Sequence, residues 1–312
     1  MASFFDPSLT ATAGEAFVDQ SKVDDTLRKL IPAAHITKGS YRYPSRSELR
    51  DLVWNHMDQS HRPLIHRTYG VAARIHIGGS TSFSLTRFGH WPFVIPVFDG
   101  YFKENGFYQV MVLFGLIAVV IIIECNPNGN ESQMDVSWTI ASHRWLRFLH
   151  PLLSRRLVRL NHLQNREDDP IRDRRVALRA AGYRFKTDLP DFVNSNVKGN
   201  STIFPPLQDP VSISLADLPD GRAVQIEVAN RSYILRRQKD AVEIWPSVCP
   251  HEGAEIRPEH LSGSIVRCPW HGLEFAARRL VPDGGIVEIC GARLELSGDM
   301  IVLAPGTAAV SV

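Results

Sequence analysis

Apolar and polar residues follow two different rhythms along this 312-residue chain, and a polar interval separates them. Before the interval, residues 45–62 have helical character: Ser45 or Ser47 is available as N-cap, Glu48 and Asp51 occupy the first turns, and Pro63 ends the helix. Strand-like runs follow at 71–77, 81–88, 107–124 and 135–141, with an Asn-Pro-Asn-Gly-Asn turn at 126–130 between the last two. The longest apolar run, 110–123, has fourteen residues, fewer than a membrane span requires, and its Val, Ile and Gly115 suit a buried strand. A long helical stretch is predicted from about 142 to 163. An antiparallel sheet wrapped around such a helix encloses a cavity, an α+β arrangement.

The polar interval lies at 194–209, where Asn, Ser, Gly and Pro cluster, and it reads as a linker. Beyond it, short apolar runs at 223–228, 232–236, 242–245, 264–267, 287–289 and 300–303 are separated by Gly, Pro and Asp. They predict a small all-β antiparallel domain of about one hundred residues. The expected organisation is an N-terminal domain over 1–200, a linker at 201–208 and a β domain over 209–312. No internal repeat is present.

Length allows two domains with separate cores. A formal net charge of +2 implies no general affinity for nucleic acid or anionic lipid. The N-terminus, beginning Met1-Ala2-Ser3-Phe4, lacks a basic segment followed by an apolar stretch, so no secretory signal is expected. The four cysteines, Cys125, Cys249, Cys268 and Cys290, do not read as a disulfide framework, which favours a reducing, cytoplasmic setting.

Two of those cysteines carry chemistry. Cys249-Pro250-His251 is followed, after sixteen residues, by Cys268-Pro269-Trp270-His271, so each of two clamps offers one thiolate and one imidazole. Zinc also accepts two Cys and two His, but zinc fingers more often pair their cysteines in one clamp. With Gly253 after the first clamp and Gly272, Leu273, Glu274 and Phe275 after the second, the segment resembles the Rieske iron–sulfur family. That resemblance implies a [2Fe-2S] cluster held by Cys249 and Cys268 on one iron and by His251 and His271 on the other. Respiratory-type members carry a second cysteine in each clamp; this chain does not, and it resembles the ferredoxin-like and oxygenase branch.

A second constellation, Asn55-x-x-Asp58-x-x-His61-x-Pro63-x-x-His66, stands in the first predicted helix. Residues three apart share a helix face, placing Asp58 beside His61, and Pro63 lets the chain turn so that His66 reaches the same spot. Two imidazoles so placed make two corners of the facial triad of non-haem iron(II). His56 falls on another face, and His143, His150, His162 and His260 lack paired spacing, so these read as structural. The arginines at 155, 156 and 159, and at 172, 174, 175 and 179, either dock an acidic electron donor or form a solvated face.

The segment with Asp58, His61 and His66 resembles the catalytic domain of Rieske non-haem iron oxygenases. The resemblance implies an acidic third iron ligand farther along, best matched by Asp168 in Gln164-x-x-Glu167-Asp168-Asp169, with Asp169 and Glu167 in reserve. It also implies that Asp58 is an electron-transfer bridge between a cluster histidine, His251 or His271, and an iron histidine. The fold then expected is α+β, a helix-grip-like antiparallel sheet around a long helix followed by an all-β Rieske domain. The implied function is hydroxylation, demethylation or desaturation of a hydrophobic organic substrate with O2, electrons coming from a ferredoxin or an NAD(P)H-dependent reductase. No flavin or nicotinamide fingerprint is present, since Gly78-Gly79 lacks the further glycines. The domain order is the reverse of the usual one. That weakens carry-over of the homotrimer in which a cluster serves a neighbouring subunit, and an extended linker allows transfer within one chain. The alternative is an electron-transfer protein whose N-terminal domain only binds an apolar ligand or a partner. Aromatic residues between Phe83 and Phe114 serve as cavity lining or as ordinary core.

Overall fold

The computed structural model describes residues 20–58, 61–67, 69–78, 81–88, 92–103, 105–129, 131–186 and 201–306. The expectations about the extreme N-terminus, Gly79 and residues 194–200 of the polar interval lie outside the described residues. The chain divides into two compact units, Met1–Arg172 and Asp173–Val312.

The first unit is built on one seven-stranded antiparallel sheet. Its strands are β1 (Ala34–Ser45), β2 (Tyr69–Gly78), β3 (Thr81–Phe88), β4 (Ile95–Lys103), β5 (Gly106–Leu113), β6 (Ile117–Asn128) and β7 (Glu131–His143). Their order, β1-β7-β6-β5-β4-β3-β2, is a meander from β2 to β7 closed by β1 on the last strand. Alternation along β6 separates two cores: Val119 and Ile121 face one side with Leu52, Trp138 and Ile140, while Ala118, Val120 and Ile122 face the other. Helix α1 (Gln20–Leu30) covers the second side through Val23 and Leu27. The first side receives α2 (Leu49–Met57) and Leu153, Leu157 and Val158 of the long helix α4 (His150–Ala180).

Several element boundaries differ from expectation. The expected strand at 107–124 is two strands, because Phe114 and Gly115 take positive φ and reverse the chain between β5 and β6. Helix α2 begins after Glu48, which gives no side-chain cap; Ser45 and Ser47 bond each other instead, hydroxyl to hydroxyl at 2.6 Å. It ends at Met57, well before Pro63, which stands in the first turn of a separate one-turn helix, α3 (Arg62–Ile65). Proline there is tolerated because its missing N–H has no helical partner to lose. The stretch expected to be helical from about 142 opens as a 3-10 turn, Arg144–Leu149, and α4 then runs on to Ala180 with Pro170 inside it. Buried Ile171, Arg172, Arg175 and Leu178 hold the part beyond Pro170 in place.

The second unit packs two four-stranded sheets around one apolar core. One sheet orders β10 (Val211–Ser214), β20 (Met300–Pro305), β19 (Ala292–Ser297) and β18 (Val287–Ile289). The other orders β11 (Ala223–Val228), β12 (Arg231–Gln238), β13 (Ala241–Pro246) and β17 (Arg278–Leu280). Tyr233, Leu235, Ile244, Leu294 and Leu303 lie between them. A smaller sheet joins β14 (Leu261–Ser262), β15 (Ile265–Arg267) and β16 (Glu274–Ala276). The segment 201–208, expected to be a linker, starts as strand β9 (Thr202–Ile203), paired with β8 (Arg184–Phe185). Its polar residues read as a loop in sequence, but their backbone groups are consumed by pairing, which a buried segment requires.

Candidate functional site

Within the first unit, the ends of two short helices aim side chains at one spot. Asp58 caps the C-terminus of α2, its N–H bonded to the Trp54 carbonyl at 2.9 Å. His61 begins α3, and His66 ends it with its N–H on the Arg62 carbonyl at 3.0 Å. The two imidazoles meet edge-on, ring centroids 5.3 Å apart. Asp168 comes from α4: its Oδ1 lies 3.2 Å from His61 Nε2 and 3.4 Å from His66 Nε2. One ligand atom from each of the three falls within 4.8 Å of the others, and all three residues are buried.

The opposite edges of both rings are already engaged. His61 Nδ1 lies 3.2 Å from Asp58 Oδ2, and His66 Nδ1 lies 3.1 Å from Glu167 Oε2. A carboxylate accepts only, so each Nδ1 carries the proton and each Nε2 presents its lone pair toward Asp168. His61 Nε2 and Asp168 Oδ1 are buried and, despite their closeness, outside hydrogen-bonding geometry. Three electron-rich atoms converging without a proton of their own fit a divalent cation, and two His with one carboxylate suit iron(II). Arg172, wholly buried, lies 3.5 Å from Asp168 Oδ2 and turns that oxygen away from the histidines. Burial alone would raise Asp168, but His61, Arg172 and His66 hold it below the ordinary carboxylate range. Burial lowers His66; at His61 burial is outweighed by Asp168 and Asp58, and the shift is upward.

In the second unit the two Cys-His clamps are one turn used twice. Cys249 N–H bonds the Ala254 carbonyl and Gly253 N–H bonds the Cys249 carbonyl, at 2.8 and 2.9 Å. Cys268 with Leu273, and Gly272 with Cys268, repeat the pattern at 2.8 Å each. Both glycines have positive φ, +87° and +67°, which favours glycine over any residue with a side chain. The first turn follows β13; the second joins β15 to β16. Both sulfurs are buried, and the imidazoles of His251 and His271 bring their Nδ1 atoms within 3.2 Å. The hydrogen bond from Cys249 lowers Cys268 to about 4, and the same bond raises Cys249. Two sulfurs on one side and two ring nitrogens on the other fit the two ends of a [2Fe-2S] cluster.

Residues 210–286 match the family model of the Rieske [2Fe-2S] domain. The C-terminal region is thus a Rieske domain. No curated protein sequence matches the chain. Among solved structures, norcoclaurine synthase from Thalictrum flavum is similar at 15% identity, over 38% of this chain and 78% of that one, with TM-score 0.33. The Zhui aromatase/cyclase from Streptomyces sp. R1128 is similar at 10% identity, over 46% and 96%, with TM-score 0.36.

Around the Rieske clamps the structure adds residues that sequence reasoning passed over. Glu252, directly after the first clamp, accepts a hydrogen bond from Arg175 Nη1 at 2.7 Å, both side chains buried. That guanidinium also lies 3.6 Å above the Phe185 ring. Ser201 N–H bonds the His251 carbonyl at 3.0 Å and Thr202 N–H the Pro250 carbonyl at 2.8 Å, so strand β9 braces the clamp. Arg172 and Arg175 were expected either to dock an acidic partner or to face solvent; neither holds, because both are fully buried. A run of arginines signals charge, and nothing in its spacing reveals buried carboxylates waiting opposite. Of the reserve ligands, Glu167 orients His66, and Asp169 accepts from the Tyr43 hydroxyl at 2.6 Å. His150 is structural as expected, its ring nitrogens bonded to Thr37 and Ser142 at 2.7 Å.

Proposed function

We propose that this chain is the oxygenase component of a Rieske non-haem iron oxygenase, which uses O2 and externally supplied electrons to hydroxylate, demethylate or desaturate a hydrophobic organic substrate. The observation that carries this reading is the buried convergence of His61, His66 and Asp168 in a chain that also holds a Rieske domain. On this reading those three side chains hold a mononuclear iron(II), and Cys249, His251, Cys268 and His271 hold the cluster. When bound, the cluster supplies single electrons and the mononuclear iron supplies open positions for oxygen beside a substrate carbon.

The chain's own residues set the conditions. Asp58 keeps the proton of His61 at Nδ1, and Glu167 does the same for His66, fixing both rings and raising their donor strength. Arg172 balances the charge of Asp168 from the side away from the histidines. Leu52, Phe107 and Met111 belong to the buried apolar core on one side of the sheet. Asp58 is also the bridging residue that couples His61 to His251 or His271, in the same chain or in a neighbour of a homotrimer. A ferredoxin or an NAD(P)H-dependent reductase in the cytoplasm is the electron source.

Iron analysis of the holoprotein tests this. About three irons per chain are expected, falling to about two in His61→Ala or His66→Ala while the visible spectrum of the cluster persists. Two irons in the wild type, unchanged by either substitution and with no oxygen-dependent product, would instead assign an electron-transfer protein with a ligand- or partner-binding N-terminal domain.

A further inference from the structure

We propose that one end of the first unit is a docking surface for an anionic lipid bilayer, on which the protein rests without crossing it. Three separate segments bring large apolar side chains there into solvent. Phe93 precedes β4 and is 47% exposed, Phe114 in the β5–β6 turn is 67% exposed, and Trp145 and Phe148 in the 3-10 turn are 57% and 70% exposed. The segments adjoin: the Phe93 ring stands edge-on to Phe114 at 5.0 Å, and the Leu116 carbonyl accepts from His143 N–H at 3.4 Å. The His143 ring lies 6.2 Å from that of Trp145. Residues three apart eclipse in a 3-10 turn, so Trp145 and Phe148 share a face, and Leu152, 63% exposed, continues it into α4. Single exposed apolar residues are ordinary; a contiguous group from three segments marks an interaction surface.

Charge selects the occupant. From 144 to 163 the chain carries five arginines, Arg144, Arg147, Arg155, Arg156 and Arg159, and no Asp or Glu, although the net charge of the whole is only +2. All five are exposed, so the apolar group is edged by guanidinium groups. Aromatic and leucine side chains entering the region between headgroups and acyl chains, with arginines on the phosphates, make the mixture of an interfacial segment. An acidic protein would match the arginines. It would not account for apolar side chains that project from two loops and a helix start, an arrangement suited to entering a fluid phase. Among the described residues no helix is long and apolar enough to span a bilayer. This inference does not rest on the reading of the metal site.

Vesicle flotation of the holoprotein tests it, using phosphatidylcholine alone and phosphatidylcholine with about 30% phosphatidylglycerol. Flotation with the anionic vesicles is expected, reduced by about 0.5 M NaCl and weak on pure phosphatidylcholine. Trp145→Ser/Phe148→Ser and, separately, Arg155→Glu/Arg159→Glu are each expected to lower the partition by about ten-fold or more. The cluster spectrum and melting temperature serve as folding controls, since all four side chains are at the surface. Wild type that stays unbound at low salt, or both variants floating like wild type, would overturn the proposal. So would retention on immobilised polyglutamate with no flotation, which would assign the surface to an acidic protein.

Discussion

At the scale of single residues, the decisive contacts are those that orient a donor rather than those that donate. The nearness of Asp58, His61 and His66 was legible because their spacing is local, whereas Asp168, which converges on the two histidines, was reachable only through the family resemblance. Glu167 was legible only as a rival ligand; its bond to His66 depends on how α4 is rotated, which no spacing reports. If His61, His66 and Asp168 hold iron(II) as proposed, Glu167→Ala is expected to weaken its binding by about ten- to one hundred-fold while Asp169→Asn leaves it nearly unchanged. Competition with a chelator measures both, and equal effects would remove the orienting role. His56 makes a second case. Its ring bonds the Leu52 carbonyl at 2.9 Å and stacks on Phe107, and burial lowers it to about 4. An unfolded histidine titrates near about 6.5, so the unfolded state binds the extra proton first. Stability from this group is therefore fully present above about pH 6.5 and lost as pH falls toward about 4. Thermal unfolding at both pH values should show a shallower acid loss in His56→Phe than in wild type; identical slopes would remove His56 as the cause.

At the scale of elements, periodicity recovered most of the meander and of the β domain, and failed where tertiary contacts outweigh local preference. The 107–124 run contains its reversal at Phe114-Gly115, hidden because Phe is an unexpected residue at positive φ. Helix α4 runs through Pro170 to Ala180, well past the expected end at about 163, because its last turns are anchored by side chains from far along the chain. That anchoring bears directly on the cluster turns. A Cβ on Gly253 would stand 2.8 Å from Leu178 Cδ1 and 2.9 Å from Phe185 Cε1, on a backbone at φ +87°. Gly253→Ala is therefore expected to cost about 1–3 kcal/mol from backbone strain alone and to shorten cluster lifetime, followed by bleaching of its visible absorption. Retention of the wild-type lifetime would show that the turn relaxes freely. The Arg175–Glu252 pair supplies the companion test: removing one partner strands a buried charge, so Arg175→Met should cost about 3–5 kcal/mol. The double variant Arg175→Met/Glu252→Met should recover much of that loss in denaturant melts.

At the scale of the whole molecule, overall numbers mislead in two places. Net charge near zero conceals an acid-free, arginine-rich stretch, because averaging over 312 residues cancels what one surface concentrates. Composition likewise places the joint between domains in the polar interval, whereas packing divides the chain between Arg172 and Asp173, inside α4. The two views make different fragments. A fragment starting at 201 keeps both clamps and the whole core between the four-stranded sheets, yet it lacks Arg175, Leu178, Tyr183 and Phe185. Those residues neutralise Glu252 and cover Val248 and Gly253 beside the first clamp. A fragment starting at 173 keeps them all. If packing governs, the 173–312 fragment reconstitutes a stable cluster and unfolds cooperatively, while the 201–312 fragment melts at lower temperature and loses iron faster. The deficit should be several kcal/mol, since it combines an unpaired buried carboxylate with lost burial of Phe185 and Leu178. Equal melting temperatures and equal cluster lifetimes would return the boundary to the polar interval and make the end of α4 an accessory to the Rieske domain rather than part of it.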